Sequence, residues 1–227
     1  LLDPSRLAIT VGVLYLASAS PQRTRLLADA GVPHVVVPST TDEEAITAPA
    51  AQLLALDRAA GKARGASLSG HDRQAPCVVL GADTVVAHGR TTLGKPRDRE
   101  HAIAMLTSLQ GTTHSVVTGH CVLLLDGAGS VVREARGVAM ARVTMRSMEP
   151  AEIARYVASG EADGRAGGYA IQESADRYVI DVEGSYDTVI GLHIDTVARL
   201  WRECTDTPLP GYVPARGPGS GTYPSLP

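Results

Sequence analysis

Two long strand-like runs separated by Gly127-Ala128-Gly129 restrict the fold of this chain more than any other feature. His114–Asp126 and Val131–Arg146 both exceed the roughly five or six residues of an ordinary strand. The glycine-bearing spacer between them is a hairpin signal. Shorter strands are expected at Val13–Ala17, Val35–Val37, Cys77–Val86 (interrupted by Gly81-Ala82-Asp83), Gly168–Gln172, Tyr178–Val182 and Thr188–Ile190. Apolar spacing predicts helices over Pro21–Ala30, about 49–66, Arg99–Leu109, Pro150–Ser159 and Ile194–Cys204, with Gly31, Gly65, Gly111 and Gly160 as stops. Irregular alternation of the two, with a long hairpin in the middle, favours a mixed-sheet α/β fold over a purely doubly wound one.

The chain has 227 residues, 44% of them hydrophobic and 20% charged, which is ample for a core and unlike a disordered protein. A formal net charge of −3 gives no broad pull toward nucleic acid. No apolar run reaches the roughly 18 residues of a membrane span, so neither a nucleic-acid nor a membrane partner is expected. Leu7–Ala17 is long enough for a signal-peptide core but lacks a clearly basic flank and leads straight into structured pattern, so export is not expected. Cys77, Cys121 and Cys204 are widely spaced and form no CxxC; we expect reduced core thiols in a cytoplasmic protein. Residues 1–12 read as an N-terminal extension and 13–204 as one domain. The Pro-, Gly- and Ser-rich segment 205–227 has little to bury and is expected to be a mostly disordered tail.

The chemistry gathers in a few short segments. In LYLASASPQRTR, a buried strand runs into a helix with Ser20 at the cap and Pro21 at its first position, followed by Arg23 and Arg25. The free amides and positive dipole end of such a helix favour an anion. Asp83, inside the apolar GADTVV, needs a cation, a metal or backbone donors, unless it caps a turn beside Gly81. Lys95, in the tight GKP loop, suits a phosphate or else sits solvated at the surface; Lys62 carries the same two readings. Asp42, Glu43 and Glu44 suit Mg²⁺ or Mn²⁺ completed by substrate phosphates, or else cap the next helix. Gln172 offers both a donor and an acceptor, as reading a base edge requires.

In this order the segments resemble the Maf family of nucleoside triphosphate pyrophosphatases. SASPQR is similar to its SxSPRR signature, and TDEE, GKA, GADTVV, GKP, QGTTH, VVTG, AGGYAIQ and EGSYDTVIGL follow in the family's order over about 14–203. The resemblance implies an elongated, twisted mixed sheet with flanking helices in two lobes around a central cleft. It also implies hydrolysis between the α and β phosphates with Mg²⁺ or Mn²⁺, and a homodimer. Asp83 matches the proton acceptor; Ser18, Ser20, Arg23, Lys62 and Lys95 fall where the family gathers phosphates, and Glu43 where it helps hold metal beside Asp83. Thr84 and Gln172 match the branch acting on dTTP and UTP rather than 7-methyl-GTP. Gln22 replaces an arginine associated with base choice, which leaves open another or a modified nucleotide. The rival from another class is a non-catalytic nucleotide-binding regulator of cell division.

Overall fold

A computed structural model describes residues 13–68, 76–172 and 174–214; the expected extension over 1–12 and the end of the tail from 215 lie outside them. The expected hairpin is formed by β5 (Thr113–Leu125) and β6 (Val131–Met145), paired antiparallel from Thr113↔Thr144 to Leu125↔Val131. On its other edge β5 pairs antiparallel with β3 (Cys77–His88), so strands of 12, 13 and 15 residues run side by side. At about 3.3 Å per residue they are roughly 40–50 Å long. The sheet is completed by β1 (Leu14–Ala17), β2 (His34–Val37), β4 (Thr91–Leu93) and β7 (Val179–Glu183), in the order β2-β1-β3-β5-β6-β7 with β4 beside β3.

Strands this long carry two groups of helices on one face. Val78, Leu80 and Ala82 of β3, with Val122 and Leu124 of β5, pack against α1 (Pro21–Asp29) and α6 (Ile194–Thr205). Farther along, Val86, Val116 and Val143 pack against α3 (Arg99–Leu109) and α4 (Pro150–Ala158). Even numbering along β3 puts Val78 to Val86 on the same side. These are the two lobes. The opposite face is covered by α2 (Ala51–Arg64), over Val79, Val85, Val117 and Cys121.

Between the lobes the sheet has a gap. β1 pairs with β3 from Leu14↔Val78 to Leu16↔Leu80, and β4 pairs with it only from Val86 to His88. On that edge, residues 81–85 of β3 have no strand neighbour among the described residues. The gap lies beyond the carboxyl end of parallel β1, the part of an open α/β sheet that receives ligands.

Several expectations are corrected. β3 is not interrupted at Gly81-Ala82-Asp83, because each of these residues is paired on β5, through Asp83↔Gly119. Residues 168–172 are not a strand: Gly167 and Gly168 both have positive φ, 72° and 74°, and a 3₁₀ turn at Ala166–Gly168 leads into irregular chain. Thr188–Ile190 belong to a short helix, α5 (Tyr186–Ile190), which Gly191 ends at φ 127°. The exposed three-residue β4 was not anticipated. Residues 206–214, expected to begin a tail, pack back on the first lobe through Leu209, which is 3% exposed. Cys77, Cys121 and Cys204 are buried and unbridged. Among the described residues, no helix is long and apolar enough to cross a membrane.

Candidate active site

A cavity of about 540 Å³ opens at the gap, and the ten residues that the family resemblance places in the site line it: Ser18, Ser20, Gln22, Arg23, Glu43, Lys62, Asp83, Thr84, Lys95 and Gln172. They come from the β1–α1 turn and α1, the loop after β2, α2, β3, the loop after β4 and the segment after α4. Because Asp83 and Thr84 are adjacent on an unpaired edge, one faces α2 and the other faces α1, yet both reach the cavity.

Charges of alternating sign run along one side. Lys62 Nζ lies 2.7 Å from Asp83 Oδ1 and 3.0 Å from Glu43 Oε1. Lys95 Nζ lies 3.5 Å from Glu43 Oε2. Lys62 and Asp83 are buried, and Lys95 is exposed. Burial pushes the Lys62 ammonium below the ordinary lysine range and the Arg23 charge adds to it, against the pull of Asp83 and Glu43. For Glu43, burial acts upward, but Lys62 and Lys95 outweigh it and hold the carboxyl below its usual range. Asp83 Oδ2 is buried with no hydrogen-bond partner. A carboxylate oxygen in that position is costly unless a ligand, water or ion completes it.

Neighbouring Asp42 serves the backbone instead. Its Oδ1 accepts from the Glu44 and Ala45 amides and shapes the turn after β2. Of the three acidic residues, Glu43 lines the cavity, Asp42 holds the turn and Glu44 is not part of the lining. Lys62 reaches Asp83 because α2 lies directly on the sheet at two glycines. A methyl group on Gly81 would overlap the Ala59 carbonyl and the Ala63 amide, and one on Gly119 would overlap the Ala55 carbonyl.

Arg23 is more constrained than its sequence position suggests. Its guanidinium donates from Nε to the Gly191 carbonyl at 2.8 Å, from Nη1 to Ser18 Oγ at 3.0 Å and from Nη2 to Thr84 Oγ1 at 3.2 Å. Thr84 Oγ1 and Thr118 Oγ1 are 2.9 Å apart, and Thr118 donates onward to the Thr188 carbonyl at 2.8 Å. Hydroxyls carrying one proton each fix a single direction, Arg23 to Thr84 to Thr118 to Thr188. Arg23 therefore ties α1 to β3 and to the α5–α6 junction, and its remaining N–H groups are what it can offer a ligand. Ser20 is the N-cap of α1 by backbone geometry, with Pro21 next, but its hydroxyl makes no cap bond. It donates instead to Gln22 Oε1 at 3.1 Å.

The other side of the cavity is largely apolar, with Val86, Val116, Tyr169, Ile171, Val189 and Ile190. Tyr169 and Ile171 lie inside AGGYAIQ, a segment whose glycines were visible but whose aromatic and aliphatic lining was not. Arg165 and Asp163 also line the cavity and carried no signal in the sequence.

A family model described as Maf-like protein matches residues 13–204. The chain belongs to the Maf family. A dTTP/UTP pyrophosphatase from Anaeromyxobacter sp. is 43% identical to it over 208 residues, 92% of this chain and 96% of that protein. Proteins of the same description from Alkalilimnicola ehrlichii and Paramagnetospirillum magneticum are 43% and 41% identical, each across 84% of this chain and 92% and 96% of their own lengths. The cavity lies wholly within the span matched by the Maf model.

Proposed function

We propose that this Maf-family chain hydrolyses the α–β phosphoanhydride of dTTP and UTP, releasing the nucleoside monophosphate and pyrophosphate. The observation that carries the reading is Asp83, held on one oxygen by Lys62 and unpartnered on the other at the floor of a cavity with cations beside it. The substrate comes from the relatives' descriptions.

In this reading Asp83 Oδ2 takes a proton from water as the water oxygen bonds to the α-phosphorus. The bond from that phosphorus to the bridging oxygen breaks, and pyrophosphate leaves with the electron pair. Lys62 fixes the orientation of the Asp83 carboxylate. Lys95, the free N–H groups of Arg23 and the amino end of α1 offset the charge gathering on the leaving group. Glu43 and Asp83 carry the negative charge that would hold a divalent cation, since they converge on one ammonium; Glu43 would supply the oxygen, and Asp83 Oδ2, which lacks a partner, is kept for the water. Among the described residues no cluster of three or more His, Cys, Asp or Glu side chains forms a metal cage, so substrate phosphates would complete the shell, as Mg²⁺ prefers. When bound, such an ion supplies charge neutralisation on the phosphates.

Phosphorus NMR of the products from dTTP and UTP with Mg²⁺ tests the reaction. Pyrophosphate and monophosphate are expected. Intact nucleotide that nevertheless binds would make the chain a regulator, and inorganic orthophosphate with the nucleoside diphosphate would mean that the β–γ bond is cut instead. A second reading, the same cleavage on another or modified base, is favoured by Gln22, whose side chain lines the cavity. A panel of triphosphates with wild type and Gln22→Arg separates the two.

A further inference from the structure

The apolar wall of the cavity is built without a ladder. Two successive glycines at positive φ precede it, and its shape is fixed by hydrogen bonds from three other elements. Tyr169 Oη is 2.7 Å from His114 Nε2 of β5. The Ala170 amide donates to Tyr156 Oη of α4 at 3.0 Å, and Tyr186 Oη of α5 donates to the Ile171 carbonyl at 3.1 Å. Tyr169, Ala170 and Ile171 line the cavity, whereas Tyr156 and Tyr186 do not. Tyr156 is 1% exposed, so its hydroxyl serves the wall and not solvent.

The wall residues Tyr169, Ala170 and Ile171 are uncharged, and Asp163 and Arg165 line the cavity just before them in the chain. A methyl on neighbouring Gly167 would press on Val86 Cγ2 at 2.9 Å, which places this segment against Val86. Val86 is three residues beyond Asp83 on β3, roughly 10 Å along the strand. A nucleotide with its phosphates at Asp83 and Lys62 would lay its base here. The Gly167 amide also donates to the Gly94 carbonyl at 3.0 Å, beside Lys95. The same wall segment is thus anchored to the loop that carries a phosphate-side cation.

We propose that Tyr156 and Tyr186 are positioning residues for base selection: their hydroxyls hold Ala170 and Ile171 at the distance from Val86 and Val116 that admits a one-ring base and disfavours a two-ring base. The inference rests on the nucleotide reading above and adds to it the elements that set the width of the base slot. Neither hydroxyl touches the ligand. Both act through the backbone of the wall, so losing one widens the slot while leaving Asp83 and Lys62 in place.

The test uses Tyr156→Phe and Tyr186→Phe, which remove one oxygen each. Binding of the α,β-imido analogues of dTTP and dATP is measured at equilibrium, alongside kcat and KM for dTTP and dATP. The expected result is a three- to tenfold fall, in round terms about the effect of one hydrogen bond, in the preference for the pyrimidine. It should be carried by Kd and KM, with kcat at saturating dTTP within about twofold of wild type. A lower melting temperature with unchanged preference in both variants would overturn the proposal, as would a wild type without base preference. Tyr186, only partly buried, carries the test alone if Tyr156→Phe fails to fold. A wild type that binds the pyrimidine analogue selectively but hydrolyses neither nucleotide defeats the hydrolysis reading, and the binding ratios still decide this one.

Discussion

His120 is fully buried at the middle of β5, between the two lobes, and its hydrogen bonds admit only the neutral ring. Its Nε2 accepts from the His193 amide at 3.0 Å, so the ring proton sits on Nδ1, 3.3 Å from the Gly137 carbonyl. Burial, with the nearby charges of Arg23, His193 and Arg199, lowers its pKa to about 3. Burial and His88 lower that of His114 to about 4. The unfolded chain takes up these protons below the ordinary value of 6.5 and the folded chain does not, so stability present above pH 6.5 is lost as pH falls toward the folded values. Between pH 7 and pH 5 the expected loss is on the order of 2 kcal/mol for each ring. Urea unfolding at the two pH values checks this: His120→Gln should lose less stability over that interval than wild type, and an unchanged loss would contradict the neutral-ring assignment. Nothing in QGTTHSVVTGH marks these two histidines as buried and neutral, because their hydrogen-bond partners come from segments 17 to 73 residues away. Arg23 is the same case: the motif identified it as a cation for phosphate, but its bonds to Gly191 and Thr84 became visible only when α5 and β3 were brought beside it.

Helix α2 connects the fold to the chemistry. It lies on the backbone of β3 and β5 at Gly81 and Gly119, and that contact brings Lys62 to 2.7 Å from Asp83. Gly81→Ala must push the helix outward or bend the strand. The expected cost is about 3 kcal/mol, or roughly 6–12 °C in melting temperature, with activity lost beyond what the lowered stability explains. Differential scanning calorimetry with an activity assay at 20 °C or so below the variant's midpoint checks it; a variant as stable and active as wild type would show that α2 does not rest on the strand backbone. The long hairpin, α1, α2, α3, α4 and α6 were legible because period and stop signals agree over many residues. The segments at 168–172 and 188–190 were not. Their β-branched and aromatic composition reads as strand locally, but the glycines at 167, 168 and 191, the Tyr156 hydroxyl as acceptor and the Tyr186 and Thr118 hydroxyls as donors override it. Where hydrogen bonds are supplied by distant side chains, local propensity decides little.

The molecule as a whole places two lobes on one set of long strands and leaves one edge of β3 unpaired between them, so the cavity draws on segments from Ala17 to Ile190. Binding of a ligand there should raise the melting temperature with concentration. Lys95 separates binding from stability. Its pair with Glu43 is long at 3.5 Å and its side chain is 57% exposed, so Lys95→Ala should change intrinsic stability by less than about 1 kcal/mol. The thermal shift produced by the α,β-imido analogue of dTTP should nevertheless shrink in that variant. An unchanged shift would remove Lys95 from the phosphate side. The most direct measurement is single-turnover pyrophosphate release from dTTP by Asp83→Asn, with nucleotide affinity measured on the same sample. The expected result is a rate lower by about 10²–10⁴ with binding and melting temperature retained, and release at the wild-type rate would contradict the role of Asp83.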